Sequence, residues 1–123
     1  YKRQVFDMGG VLIVWDPVKM LRQLHLSRED EALLNRELLR LETSLKAAGE
    51  KPIFCFLHYP PLYQGYECPE ILRLLREYEV KVCCYGHLHG PSHRRALQGE
   101  RGGTSFFMVS GDYLSFHPKK ICD

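Results

Sequence analysis

No stretch of this 123-residue sequence approaches the roughly 18 consecutive apolar residues that a membrane-crossing helix needs. The longest apolar runs, 11–15 (VLIVW) and 53–57 (IFCFL), have the length of buried strands. No basic start leading into an apolar region marks a secretory leader. Neither charge dominates: 17 basic residues face 15 acidic ones, for a net +2. The balance is even along the chain, with seven of each sign in 1–42 and ten against eight in 43–123. That excludes the basic stripe of a nucleic-acid binder. The five cysteines (55, 68, 83, 84 and 122) form no C-x-x-C pair, and three of them lie in strand-like apolar runs. Buried reduced thiols are expected, and with them a reducing, cytoplasmic setting. Adjacent Cys83 and Cys84 point to opposite faces of a strand and are poor partners for each other. There is no P-loop, no G-x-G-x-x-G, no Ser/His/Asp set, no internal repeat and no low-complexity tract. What remains, 45% hydrophobic and 26% charged, is the composition of a globular protein with room for one small domain.

The pattern predicts an α/β chain. Residues 5–15 read as a strand ending at Asp7, a Gly-Gly turn and a further apolar run. Asp16-Pro17 starts a helix through Met20, Leu21 and Leu24. Ser27 and Asp30 resemble a capping box before a longer helix that runs to about Ala48 on Leu34, Leu38, Leu41 and Leu45, with Gly49 ending it. The continuous apolar run 52–58 predicts a strand buried on both faces. Residues 59–65 read as a loop, and Pro69 opens a helix carrying Ile71, Leu72, Leu75 and Tyr78. Residues 80–85 read as the next strand and 86–92 as a loop. Further strands are expected at 94–97, 104–109 and 113–116, with Glu100-Arg101-Gly102-Gly103 as a hairpin turn. From residue 52 onward this is a βαβ unit followed by strands.

Chemistry concentrates in the histidines. His58 ends one predicted strand, and His87 and His89 lie just past the end of the next, in Gly86-His87-Leu88-His89-Gly90. If those strands are parallel neighbours, all three imidazoles gather at one sheet edge, where open α/β sheets bind ligands. Neutral imidazole is a common ligand of divalent metals. An H-x-H pair on an extended segment directs both rings to one side, and flanking glycines let the loop bend close to an ion. A structural zinc site with His93 or a cysteine as fourth ligand is an alternative. Tyr59, Tyr63, Tyr66 and Tyr85 crowd near the histidines, either lining the site or packing as a loop against prolines, and Arg94 and Arg95 read as a solvated charge pair, with contact to a phosphate as the alternative.

The segments FLHYPPLY (56–63), YGHLHG (85–90) and VSGDYLSF (109–116) resemble the C-terminal part of a calcineurin-like metallophosphoesterase. That resemblance implies a β-sandwich flanked by helices and a dinuclear centre of divalent ions (Mn, Fe or Zn). It implies that His58 and His87 bind one ion and His89 the other, and that the substrate is a phosphate ester. The family's upstream D-x-H, G-D and G-N-H-D/E motifs, which supply carboxylates, an asparagine and a further histidine, are absent. Asp7 is followed by Met8-Gly9, and Asp112 lies downstream of the histidines. The chain by itself is therefore expected to be inactive or nearly so.

Residues 5–17 (VFDMGGVLIVWDP) resemble the first motif of haloacid dehalogenase-like hydrolases. That resemblance implies Asp7 as a carboxylate nucleophile, with Gly9 where phosphatase members carry a second Asp. The expected organisation is thus chimeric. Residues 1–4 read as adaptor sequence and 5–39 as a strand-helix appendage of the second family. Residues 40–123 read as a partial metallophosphoesterase sandwich, marginally stable because strand faces are left uncovered. Besides a phosphoesterase fragment, a haloacid dehalogenase-like fragment and a non-enzymatic metal-binding or structural domain remain open. No membrane partner and no nucleic acid are expected, and nothing in the sequence sets an oligomeric state.

Overall fold

The computed structural model describes residues 28–121. The expectations for Asp7, the Gly-Gly turn, the 16–24 helix, the Ser27 cap and Cys122 lie outside the described residues. Helix α1 spans Arg28–Ala47. Leu41 and Leu45 are buried one turn apart, Leu38 is half-buried, and Leu39 faces solvent. Gly49 ends the helix at φ +59, as a C′ glycine does. Glu37 departs from the pattern: it is buried on the Leu41 face, and its carboxylate is held by Arg40 at 2.9 and 3.2 Å. A buried carboxylate needs such partners.

Strands β1 (Phe54–Leu57) and β4 (Val82–Tyr85) are joined through the hairpin β2–β3 (Leu62–Tyr63 and Tyr66–Glu67) and helix α2 (Pro69–Glu77). Strands β5 (Gly99–Arg101) and β6 (Thr104–Met108) follow. The sheet order is β1-β4-β6-β5, with β1, β4 and β6 parallel and β5 antiparallel to β6. The predicted βαβ unit is present. So is the β5–β6 hairpin, whose two-residue turn is Gly102-Gly103 at φ +58 and +84. Two consecutive positive φ values are the signature of a type I′ turn, which glycine adopts at no steric cost.

Register explains the core. Cys55, Cys83 and Phe106 stand side by side across the three parallel strands, as do Leu57, Tyr85 and Met108. All six are buried and pack with Ile71, Leu74 and Leu75 of α2 and Leu41 and Leu45 of α1. Residues one step along each strand point the other way. There Val82 and Cys84 of the central strand β4 are buried, but Phe54, Phe56 and Phe107 are only half-buried, and the Lys119 ammonium lies 4.9 Å above the Phe107 ring. The expectation that 52–58 is buried on both faces is therefore corrected. β1 is an edge strand, and only its Cys55–Leu57 face enters the core. Cys55, Cys68, Cys83 and Cys84 are buried and form no disulfide, as expected, and burial pushes the Cys84 thiol up to about 11.

Three other local expectations change. The 59–65 loop contains half of a hairpin, because Gly65 at φ +84 closes a two-residue turn that pairs Tyr63 with Tyr66. Residues 94–97 are not a strand. Gly90 at φ +52 and Pro91 start a 3-10 helix, Gly90–Arg95, and Ala96 makes a single bridge to Tyr63. Residues 113–116 are turns: Leu114 N–H bonds Ser110 O, Phe116 N–H bonds Gly111 O, and Ser115 and Phe116 have φ +51 and +56. Local turn bonds from Ser-Gly-Asp outweigh the strand propensity of Tyr-Leu-Ser-Phe.

Helix α2 ends in a left-handed residue that is not glycine. Glu79 has φ +50, and Val80 N–H reaches back to Leu75 O at 2.8 Å, the long bond of a Schellman cap. Glu79→Gly is expected to raise stability by up to about 1 kcal/mol by removing the Cβ clash of that conformation. A urea melt checks this: an unchanged or lower midpoint means the cap carries no strain.

Candidate metal site

The site begins with the sheet register. Because Leu57 pairs with Tyr85 in a parallel ladder, β1 and β4 end level, and the next residues are His58 and Gly86. Gly86 N–H donates to His58 O at 3.0 Å, holding the two strand exits together. The chain then reverses around His87. Leu88 N–H bonds Gly86 O at 2.7 Å, and His87 between them has φ +65. This is a γ-turn of the positive-φ kind, which is rare and strained. The side chain of Leu88 is buried in the core cluster and anchors the turn.

That turn decides where the imidazoles go. His87 Nδ1 lies 3.3 Å from His58 Nε2, with ring centroids 5.2 Å apart. Tyr59 packs on His87 at 3.9 Å between centroids. His89 has a different partner. Its Nδ1 lies 2.8 Å from Asp112 Oδ1, and its side chain is 64% exposed. The reading of His87-Leu88-His89 as an extended segment is thus corrected, and the two rings have different partners. The γ-turn breaks the strand periodicity between them. The hinge is also not where the flanking glycines suggested. Gly90 does take a positive φ, but Gly86 does not, and a Cβ there would make ordinary contact with His58 O at 3.6 Å.

Asp112 is the residue that the sequence pattern misplaced. It follows the histidines by more than twenty positions, and no spacing rule links them. The turn at Ser110-Gly111-Asp112 brings it to the H-x-H loop. Its Oδ1 accepts from His89 Nδ1 and from Tyr113 N–H at 3.0 Å, and its Oδ2 accepts from Gly90 N–H at 2.9 Å. His93 Nε2 lies 3.1 Å from Oδ2, off the hydrogen-bonding line, so that contact is electrostatic. The Gly90 amide first, and then the two histidines, hold the Asp112 carboxyl well below the usual carboxylate range. The only sequence signal available was the turn-forming S-G-D itself.

Of the four tyrosines expected near the histidines, only Tyr59 is seen against them. Tyr63 and Tyr66 stack on each other at 5.2 Å, and Tyr85 is buried with its hydroxyl donating to Leu97 O at 2.7 Å. Arg94 and Arg95 are exposed on the 3-10 helix. A cavity of about 200 Å³, lined by Leu62, Leu75, Arg76, Leu97, Arg101 and Phe106 among others, includes none of the site histidines.

Two imidazole nitrogens bound to one tetrahedral zinc ion at about 2.0–2.1 Å are about 3.3–3.4 Å apart. The His58–His87 pair has that spacing, which is equally the spacing of the hydrogen bond between the two rings, so an ion held there would take the place of that bond. Among the described residues no group of three His, Cys, Asp or Glu side chains converges as a metal-binding set. His58 and His87 are together, and His89 stands apart with Asp112. No helix among the described residues is long and apolar enough to cross a membrane.

No curated protein and no solved structure matches the chain. The family model for calcineurin-like phosphoesterases matches residues 2–91, well over half of the 123 residues. The matched stretch includes β1, α2, β4 and all three site histidines, and it also runs through the 5–39 segment that resembles a different hydrolase. On the extent of that match, this chain belongs to the calcineurin-like phosphoesterase family.

Proposed function

We propose that the chain carries the histidine side of a metal-dependent phosphoesterase site. In this reading His58 and His87 hold one divalent ion (Mn, Fe or Zn), and His89 serves the second ion of a dinuclear centre in the complete site. The substrate class is a phosphate ester. One observation carries the reading: two imidazole nitrogens 3.3 Å apart at the level ends of two parallel strands. When bound, such an ion lowers the pKa of a coordinated water toward about 7 and stabilises charge on phosphoryl oxygens. The residues' own part is to donate neutral nitrogens that leave the ion's charge intact, at a mouth open to solvent. Tyr59 fixes the His87 ring by packing on it.

The half-covered Phe54, Phe56 and Phe107 face is, in this reading, the surface on which the second sheet of a sandwich packs. The carboxylates that bridge two ions in such a centre do not occur here upstream of the histidines in D-x-H, G-D or G-N-H-D/E contexts; the one G-D pair, Gly111-Asp112, lies downstream. The chain alone should therefore bind metal but turn over little substrate. Calorimetric titration of the purified 123-residue chain with Zn²⁺ and Mn²⁺ tests this, alongside hydrolysis of bis(4-nitrophenyl) phosphate. The expected result is uptake of about one ion per chain with hydrolysis near background. No uptake overturns the metal reading, and rapid metal-dependent turnover overturns the assignment as one side of a site.

A further inference from the structure

We infer that Asp112 is a positioning residue, which holds the His89 imidazole with its proton on Nδ1 so that Nε2 is presented to solvent as a lone-pair donor for a divalent cation. The second half of this rests on the metal reading above; the first half does not.

The argument starts from what a carboxylate can do. Ionised, it only accepts, so a 2.8 Å contact between Asp112 Oδ1 and His89 Nδ1 requires the proton to sit on Nδ1. In a neutral ring the other nitrogen is then bare. An exposed histidine in water favours the opposite tautomer, with the proton on Nε2 and no lone pair there. Asp112 therefore selects the form that can bind a cation outward. The same carboxylate-to-imidazole contact fixes the ring's rotation, as partners of metal-bound histidines do.

The carboxylate is itself rigidly held. It faces four nitrogens: His89 Nδ1 and Tyr113 N on Oδ1, and Gly90 N and His93 Nε2 on Oδ2. A carboxylate offers about four lone-pair sites; three of them accept hydrogen bonds here, and His93 Nε2 lies against the fourth without bonding to it. It is not placed to be a ligand. It is placed to orient one, and the Gly90 amide ties it to the loop that carries His89. His93 is additionally packed against Tyr113, ring centroid to centroid 5.4 Å, which braces the cluster on its other side.

The test uses the full chain with ¹⁵N-labelled histidine. Long-range ¹H–¹⁵N correlation at pH 8 without metal reads the tautomer of each ring. His89 is expected as the Nδ1–H form in the wild type. In Asp112→Asn the side-chain amide N–H₂ can donate to Nδ1, so the ring should switch to the Nε2–H form. The asparagine oxygen, in the place of Oδ2, still accepts from Gly90 N–H, which keeps the loop tied, while Tyr113 N–H loses its partner. Zn²⁺ titration should then shift His89 Nε2 in the wild type, and about 10–100-fold more Zn²⁺ should be needed in Asp112→Asn. An Nε2–H ring in the wild type, or a tautomer unchanged by Asp112→Asn, overturns the proposal. Zn²⁺ that moves His58 and His87 but leaves His89 unmoved overturns it while leaving the paired-histidine reading intact. Zn²⁺ that moves no histidine overturns both.

Discussion

His87→Ala is expected to weaken Zn²⁺ binding by at least about a hundredfold, which is about 2.7 kcal/mol, and His58→Ala is expected to do the same. The pair supplies two donors to one ion, so the loss of either leaves a single imidazole on a solvated cation. For the same reason the double variant should lose little more than each single one: the two residues act as a unit and their effects do not add. Stability should respond differently. His87 is the centre of a strained γ-turn at φ +65, a conformation that costs a residue with a Cβ roughly 1 kcal/mol or more. His87→Gly should therefore be about 1 kcal/mol more stable than His87→Ala, although both have lost the metal. Paired calorimetric titrations and urea melts on the four variants measure both quantities. If His87→Ala keeps wild-type affinity, the 3.3 Å pair is a packing accident. If glycine and alanine are equally stable there, the turn stores no strain. A residue that is costly to the fold and needed for the ion fits the general pattern that backbone strain collects at functional sites.

The sequence made the larger frame legible because the frame depends on patterns that repeat. Apolar runs bounded by turn residues marked β1 and β4, and the apolar face of α2 between them forced a parallel crossover. Parallel pairing alone brings His58 next to the H-x-H loop. The resemblance to calcineurin-like phosphoesterases rested on 56–63, 85–90 and 109–116, and the family match, which spans 2–91, includes the first two. What the sequence hid has no period. The hairpin β2–β3 is two residues on each side, too short for alternation to register. The reversal at His87 depends on the buried anchor of Leu88 and on a hydrogen bond across one residue, not on a glycine. The His89–Asp112 contact spans 23 residues and exists because a turn replaces a predicted strand. Glu37 hides behind the rule that a charged side chain on a helix belongs outside, and its burial is tolerated because an arginine one turn away meets it. The 5–39 segment and Asp7 lie mostly outside the described residues, so the second resemblance is left where the sequence put it.

Phe106→Ala is expected to cost about 3–5 kcal/mol, whereas Phe107→Ala, one residue along the same strand, should cost about 1 kcal/mol. The two side chains differ only in the face they enter. Phe106 is buried against Cys83 and the α2 leucines, where removing the ring leaves a cavity that the surrounding strands and helix cannot fill. Phe107 lies half-buried on the opposite face under the Lys119 side chain, so its loss exposes little that was dry. Domains of this size are stable by about 5–15 kcal/mol in all, so Phe106→Ala should approach the threshold of unfolding at room temperature and Phe107→Ala should not. Urea denaturation followed by circular dichroism reads both. Equal and large losses would mean that the second face is packed as tightly as the first, so a one-sided core would be wrong. The expected asymmetry places the folding energy on the helix-covered face. The phenylalanines of the other face are then free to take a second layer, as the sandwich reading requires.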